Sequence, residues 1–247
     1  NEEIKISEIV WKGAPRRIAW SIVSHMRLFL KVDIHPVIST SFMLINNYYQ
    51  SMPKKNYKLY ILIITAIFVT CKQNEISRSM PCILCCLLNV CREFSQKINI
   101  RILQNTVNLD DFVNRQITND EITMINNCEL DLIEANNYQL NIDMPFSYTK
   151  QFVEPNISQL PSEISKQIED NLLRYLCVII CSEHCNDFHP EIMAVAASLT
   201  TFDDIDIEIP KSITDWINDS IEKFGEKNID DAKLLLKHEY TIIAQQK

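Results

Sequence analysis

Glycine is the residue that this sequence lacks most clearly, with only two in 247 residues, Gly13 and Gly225. Tight hairpin turns and loops that wrap phosphate groups depend on glycine, because its backbone reaches conformations that other residues avoid. Neither of the common glycine-rich nucleotide-binding motifs can be written anywhere in the chain. The scarcity of glycine therefore excludes the usual nucleotide-binding motifs and favours an all-α fold with asparagine-rich connections.

A long apolar run and an excess of positive charge are also missing. The longest apolar stretch, residues 59–69, is well short of the roughly 20 residues that a membrane-spanning helix needs. The net charge of −8 argues against nonspecific attraction to nucleic acid. The first residues, NEEIKISE, do not have the pattern of a signal peptide. We therefore expect a soluble, intracellular protein with no direct nucleic-acid partner and no membrane partner.

The nine cysteines are an odd number, and several lie in apolar runs that are predicted to be helical. This usage favours reduced thiols over a disulfide framework. Two groups stand out: Cys82, Cys85 and Cys86, and farther on Cys177, Cys181, His184 and Cys185. One helix could present the second group together, but zinc needs ligands from more than one direction. We interpret both groups as structural packing and predict no metal site, no cofactor and no catalytic residue.

The apolar stretch at residues 59–69 organises the rest of the chain. It leaves no polar face, which is typical of a helix that is buried on all sides. A pair of buried strands is the alternative, because residues 61–69 are rich in branched side chains, but no turn signal interrupts the run. We predict a central buried helix with Asn56 as its N-cap and an exposed, charged end at Lys72 and Glu75.

Further helices are predicted on both sides of this central stretch. Apolar residues at helical spacing predict a helix over residues 16–32. Pro36 and Pro81 mark two more helix starts, since the first turn of a helix tolerates proline. The sequence TNDE at residues 118–121 is a capping box that opens a fifth helix. Between them, the mixed, asparagine-rich residues 92–119 are interpreted as a long connection with some helix.

An internal repeat relates the two halves of the chain. The sequence DIHPVI at residues 33–38 is echoed by DFHPEI at 187–192, and core positions keep the same register on either side. Each copy places a histidine before a proline at a helix start, which accounts for His35 and His189 without catalysis. The repeat predicts two helical bundles, while the proline-rich stretch between them indicates a linker. The predicted parts are an N-terminal segment, a first bundle, a linker and a second bundle: 1–15, 16–153, 154–162 and 163–247.

Four segments of the chain resemble cyclins. TAIFVTCKQNE at residues 65–75 resembles the cyclin-box signature, and CELDLIEANNYQLNIDMPFSY at 128–148 resembles the fifth helix of the box. RRIAWSIVSHM at 16–26 is similar to the first helix of the first box, and HPEIMAVAASL at 189–199 to the second helix of the second box. The long connection and CELDLIE are closer to transcriptional cyclins, particularly the C type, than to cell-cycle cyclins. The resemblance implies two tandem five-helix cyclin-like bundles.

The resemblance also implies a function. A cyclin is the regulatory subunit that binds and activates a cyclin-dependent protein kinase, as a heterodimer or within a larger complex, and is not itself an enzyme. It works in the nucleus or in both nucleus and cytoplasm. By position, Lys72 and Glu129 are the residues that would hydrogen-bond the kinase backbone, and such charge-assisted bonds are stronger than neutral ones. The resemblance assigns further kinase-binding contacts to the residues around them: Phe68, Glu75, Ile76, Leu130 and Ile133.

The chain departs from the family in two places, and other functions stay open. Asn74 stands where the family commonly has an acidic residue, and residues 17–20 lack the apolar docking patch of cell-cycle cyclins. The main alternative is a cyclin-fold adaptor or scaffold, transcription-factor-IIB-like or pocket-protein-like, without kinase activation. A DNA-contacting adaptor should be basic, and a pocket protein would lack the pairing of Lys72 with Glu129. A cyclin-like protein that has lost kinase binding and a helical enzyme are the remaining alternatives.

Overall fold

The protein is all-α, as predicted. The computed structural model describes residues 14–51, 57–97 and 118–244, and within these ranges the regular elements are helices, with no strand. Two predictions concern residues that lie largely outside these ranges: the N-terminal segment 1–15 and the long connection at 92–119.

The helices divide between two compact units, Asn1–Ile142 and Asp143–Lys247. A five-residue π-helical turn, Ile34–Ile38, leads into the second helix of the first unit. In chain order we number the helices of the first unit α1 (Ala14–Leu30), α2 (Ser39–Ser51), α3 (Leu59–Gln73), α4 (Met80–Lys97) and α5 (Asn119–Ala135). Those of the second unit are α6 (Pro145–Phe152), α7 (Glu154–Ile157), α8 (Ser162–Cys181), α9 (Pro190–Ile205), α10 (Lys211–Phe224) and α11 (Glu226–Ala244).

Helix α3 is the buried central helix that the apolar stretch predicts. It is one continuous helix, which excludes the alternative of two strands, and most of its side chains are buried. Its two buried threonines satisfy their hydroxyl groups one turn back: Thr65 donates to the carbonyl of Ile61 at 2.7 Å, and Thr70 donates to that of Ala66 at 3.0 Å. The N-cap position is held by Lys58, without a side-chain hydrogen bond. Asn56, the predicted N-cap, lies outside the described residues.

The predicted capping box at the start of α5 is confirmed. The hydroxyl of Thr118 accepts a hydrogen bond from the backbone N–H of Glu121 at 3.2 Å, and the Glu121 carboxylate accepts one from the N–H of Thr118 at 3.0 Å. Glu121 is itself buried and also accepts a hydrogen bond from the Tyr60 hydroxyl at 2.9 Å. The cap therefore begins α5 and at the same time ties it to α3.

Helix α4 corrects the prediction that its cysteines are all packed in the core. Cys86 is buried, but Cys82 and Cys85 are exposed. The helix packs on α1 and α3 with one face only, and the positions of its apolar residues run around much of its circumference, so spacing alone did not identify that face. The buried side chains on the covered face are Ile83, Leu84, Cys86, Leu87, Val90 and Cys91.

The stretch predicted as a linker, residues 154–162, lies inside the second compact unit. It contains the short helix α7 (Glu154–Ile157), and the side chain of Ile157 is fully buried. Both of its prolines stand at helix starts, Pro155 in the first turn of α7 and Pro161 as the N-cap of α8. Proline needs no N–H partner there, so the same residues that suggest a linker can begin helices. The tandem five-helix arrangement stays a prediction.

The second cysteine group of the sequence is split by the end of α8. That helix ends at Cys181, and His184 and Cys185 follow in a turn, so one helix does not present the whole group. Cys181 and Cys185 are buried, and Cys177 is half-buried. After this turn, His189 is the N-cap of α9, where its Nδ1 accepts a hydrogen bond from the N–H of Glu191 at 3.2 Å. The prediction that His189 starts a helix is confirmed.

Candidate protein-binding site

The predicted functional residues converge at the C-terminal end of α3. Lys72 lies in the last turn of that helix, and its Nζ is 2.8 Å from Oε1 of Glu129 on α5. One turn earlier, the ring of Phe68 lies under the same ammonium group, with 4.2 Å between Nζ and the ring centre. The structure thus brings together three predicted residues, although Lys72 and Glu129 are 57 positions apart in the sequence.

The packing of α5 against α3 positions Glu129. Beside it, the thiol of Cys128 is buried next to Thr65 of α3. Burial raises the pKa of Cys128 to about 12, so this thiol stays protonated at neutral pH and serves as a packing group. The next residue, Glu129, contacts Lys72 at the C-terminal end of the same helix.

The ion pair is accessible to solvent. The side chain of Lys72 is 52% exposed and that of Glu129 is 22% exposed. Exposed ion pairs typically contribute only about 0–1 kcal/mol to stability, so this pair adds little to the fold. An ammonium group carries three donors, and a carboxylate can accept at both oxygens. The pair can therefore offer hydrogen bonds of both kinds to a partner while it remains intact.

Apolar side chains on α5 adjoin the ion pair. Leu130 is 68% exposed, and the predicted contact residue Ile133 is half-buried. Ile122, which the sequence did not single out, is 40% exposed. Ile122 precedes Glu129 by two helical turns, and Ile133 follows Glu129 by one turn. Ile122, Glu129 and Ile133 therefore lie along one stripe of the helix. The spacing of seven residues between Ile122 and Glu129 is the sequence feature that could have predicted Ile122 as part of this surface.

The residues after Lys72 form the turn that ends α3. Asn74 is the C-cap, and its side-chain amide donates to the carbonyl of Thr70 at 2.8 Å. Glu75 is exposed and adopts a left-handed backbone with φ of 57°, which is uncommon outside glycine. The N–H of Ile76 then donates to the carbonyl of Cys71 at 2.8 Å. Glu75 and Ile76 therefore belong to the terminating turn, not to the helical face of Lys72.

A buried polar contact that sequence reasoning missed braces α5 from another side. Asp131 is buried and accepts a hydrogen bond from the hydroxyl of Tyr57 at 2.6 Å. Burial and this hydrogen bond raise the pKa of Tyr57. An aspartate between two leucines in the sequence could have indicated a buried polar contact. Its partner, Tyr57, could not be identified in this way because it precedes α3 and is far away in the sequence. The contact fixes the rotation of the helix that carries Glu129.

The second unit holds a buried carboxylate of its own. Glu191 on α9 accepts hydrogen bonds from Lys223 Nζ at 2.8 Å and from the Ser220 hydroxyl at 3.1 Å, both on α10. Burial acts to raise the pKa of Glu191, but these hydrogen bonds and the charge of Lys223 outweigh it and leave the pKa below its ordinary value. The arrangement joins two helices and is structural. Among the described residues, no group of three or more His, Cys, Asp or Glu side chains could hold a metal ion.

In comparisons with known proteins, no family model matches this chain, and no curated protein matches it. None of the helices in the described ranges has both the length and the apolar character needed to cross a membrane. The features that bear on function are therefore the short motifs of the sequence and the geometry of the Lys72–Glu129 region.

Proposed function

We propose that this chain is a cyclin-like regulatory subunit, which binds and activates a cyclin-dependent kinase of the transcriptional type. The observation that carries the proposal is the accessible ion pair between Lys72 and Glu129, with 2.8 Å between its charged atoms. These are the two residues to which the cyclin resemblance assigns the kinase backbone contacts. The two residues come from separate motifs, and their contact on one surface supports the interpretation that both motifs belong to one binding site.

The local geometry suits recognition of a partner's backbone. Lys72 donates and Glu129 accepts, so the pair can bond carbonyl and N–H groups of one segment by charge-assisted hydrogen bonds. Leu130 and Ile133 flank the pair and would exclude water from the contact, which strengthens those bonds. The buried body of α3 holds Lys72 in place beforehand, so less conformational entropy is lost on binding.

The proposed activity is a shift in the conformational equilibrium of the kinase. Binding favours the state in which a mobile kinase helix is turned inward and completes the lysine–glutamate pair that positions the ATP phosphates. The chain contributes binding energy and no chemical step. The complex would be a heterodimer, alone or in a larger assembly, that works in the nucleus or in nucleus and cytoplasm without a cofactor.

The proposal is tested by co-purifying kinases with the full chain from cells, with Lys72→Ala/Glu129→Ala beside the wild type. Removing charged groups that become buried at an interface typically costs about 2–5 kcal/mol, so the variant should retain at least tenfold less kinase. The matched control is Lys233→Ala/Asp203→Ala, which removes an ion pair of 3.2 Å in the second unit. The proposal fails if the two double variants retain equal amounts of kinase, or if the wild type retains none.

A charge exchange separates recognition from stability. Lys72→Glu/Glu129→Lys keeps an ion pair between α3 and α5, so the free energy of unfolding should change by less than about 1 kcal/mol. A partner, however, would meet each charge in the wrong place, and kinase retention should fall as far as in the double alanine variant. Retention by the exchanged protein would show that the pair acts only within the chain.

An adaptor or scaffold without kinase activation is the second candidate, and Asn74 favours it. The family commonly has an acidic residue at this position, whereas the Asn74 amide bonds Thr70 of its own helix at 2.8 Å. This contact caps α3 and offers no negative charge to a kinase. The same co-purification distinguishes the candidates, because an adaptor would retain partners that have no kinase activity. The kinase activity recovered would then be equally low for the wild type and for Lys72→Ala/Glu129→Ala.

A further inference from the structure

Four cysteines cluster where the end of α3 meets the start of α4. Cys82, Cys85 and Cys86 lie in the first two turns of α4, and Cys71 lies near the end of α3. Cys82 and Cys86 are neighbours one helical turn apart, and Cys71 lies near Cys82. Cys71 and Cys86 are buried, whereas Cys82 and Cys85 are exposed. The cluster therefore presents two neighbouring thiols to solvent.

The spacing of the two exposed thiols suits a disulfide. Residues three apart on an α-helix have Cα atoms about 5 Å apart, within the range of roughly 4.4–6.8 Å that disulfides need. Their Cβ atoms, about 5–6 Å apart on a regular helix, must approach more closely, so the first turn of α4 has to tighten. That turn can adjust at little cost, because Pro81 has no N–H to lose and the N–H of Cys82 donates to Ser79 Oγ at a long 3.4 Å.

The buried cysteines are protected from the same chemistry. Burial raises the pKa of Cys86 to about 11 and also raises the pKa of Cys71. Farther along α4, burial raises the pKa of Cys91 to about 11. Because the thiolate is the reactive form, these three thiols are inert at neutral pH. Exchange chemistry in this part of the chain is thereby directed to the exposed pair.

We propose that Cys82 and Cys85 form a dithiol that closes reversibly to a disulfide by exchange with a small disulfide of the glutathione class. The Cys82 thiolate attacks one sulfur of glutathione disulfide, whose S–S bond breaks and releases one glutathione thiolate. The Cys85 thiolate then attacks the sulfur of Cys82 and displaces the second glutathione. Two electrons pass from the protein to the glutathione disulfide, and the two thiol protons end on the two glutathiones. This modification does not depend on the kinase-binding proposal.

The test incubates the full, reduced chain with glutathione disulfide at pH 7, quenches with acid, unfolds the chain in denaturant, and then labels the remaining thiols with an alkylating reagent. Trypsin then releases one peptide, residues 79–92, that contains all four cysteines of α4. We expect this peptide to lose two hydrogen atoms and to carry labels on Cys86 and Cys91. Dithiothreitol added before labelling should restore four labels.

Single substitutions identify the partners. Cys82→Ser and Cys85→Ser should each abolish the disulfide within the peptide and leave one glutathione on the remaining exposed thiol. Cys86→Ala and the control Cys177→Ser should retain the disulfide, with circular dichroism verifying that each variant keeps its helix content. The proposal is overturned if the wild type forms no disulfide or only mixed disulfides. It is also overturned if the disulfide survives Cys85→Ser and is lost in Cys86→Ala, because Cys86 would then be the partner.

Discussion

Two ion pairs with different surroundings illustrate what single residues contribute. Lys72 and Glu129 meet at an accessible helix end, where solvent weakens the attraction and the pair is available to a partner. Glu191 instead is buried on α9 and is bonded by Lys223 and Ser220. A buried carboxylate that loses its charge or its partners leaves costly unsatisfied groups. We therefore expect the first pair to affect binding and the second to affect stability.

Replacing Glu191 by glutamine should lower the free energy of unfolding at pH 7 by about 1–3 kcal/mol, the typical worth of a hydrogen bond to a charged group. The pKa of Glu191 is depressed in the folded protein, so its contribution is present above the ordinary pKa of 4.5 and is lost as the pH falls through the folded pKa. Urea unfolding at pH 7 and near pH 3 should show the difference between wild type and variant shrinking at the lower pH.

The control for this measurement is Glu222→Gln on the exposed face of α10, which should leave stability within about 0.5 kcal/mol at both pH values. A Glu191→Gln difference that is as large at pH 3 as at pH 7 would contradict the role assigned to the charge.

At the level of elements, α3 and α5 are specified in different ways. Helix α3 has no side-chain cap at its start, and its burial among neighbouring helices is what stabilises it. Helix α5 is amphipathic and begins at a capping box formed by Thr118 and Glu121. Because the Glu121 carboxylate also bonds Tyr60, the start of α5 is fixed both locally and against α3. The position of Glu129 depends on this anchoring.

Thr118→Ala should destabilise the protein by about 1 kcal/mol, since alanine cannot accept the hydrogen bond from the N–H of Glu121. Thr118→Ser keeps the hydroxyl oxygen and should recover most of that loss. Midpoints of urea unfolding, compared at equal slope, measure the effect. If serine and alanine destabilise equally, the capping hydrogen bond is not what the threonine contributes.

On the scale of the whole molecule, each compact unit contains helices that are buried along most of their length. In the first unit these are α2 and α3, and in the second it is α9, whose residues from Glu191 to Ser198 are all buried. Such helices can exchange their amide hydrogens only when the unit around them opens. The helices at the surface, such as α10 with one exposed face, can open locally at lower cost.

Hydrogen exchange followed by mass spectrometry should therefore find the slowest peptides of the first unit in α2 and α3, and those of the second unit in α9. We expect exchange there to be at least about tenfold slower than in α10, which corresponds to about 1.4 kcal/mol of additional opening free energy. Peptides of α10 that exchange as slowly as those of α9 would show that the second unit opens only as a whole.

The sequence by itself determined the elements whose signals are local. The scarcity of glycine indicated an all-α protein, the unbroken apolar run predicted α3, and TNDE at residues 118–121 predicted the cap of α5. These predictions succeeded because a capping box and a helix that is apolar on all sides can both be recognised from residues within one or two turns of each other. Proline can interrupt a helix or begin one. The prolines of residues 154–162 therefore predicted a linker in a stretch where α7 forms.

Only the tertiary structure decided which faces are covered and which distant residues meet. The exposure of Cys82 and Cys85 beside the buried Cys86 depends on where α1 and α3 cover α4, which the spacing of apolar residues along α4 does not encode. The contact between Lys72 and Glu129 depends on the packing of α5 against α3 across 57 positions of sequence. Periodicity records the neighbours that a residue has along its own helix, whereas burial and pairing depend on surfaces supplied by other helices.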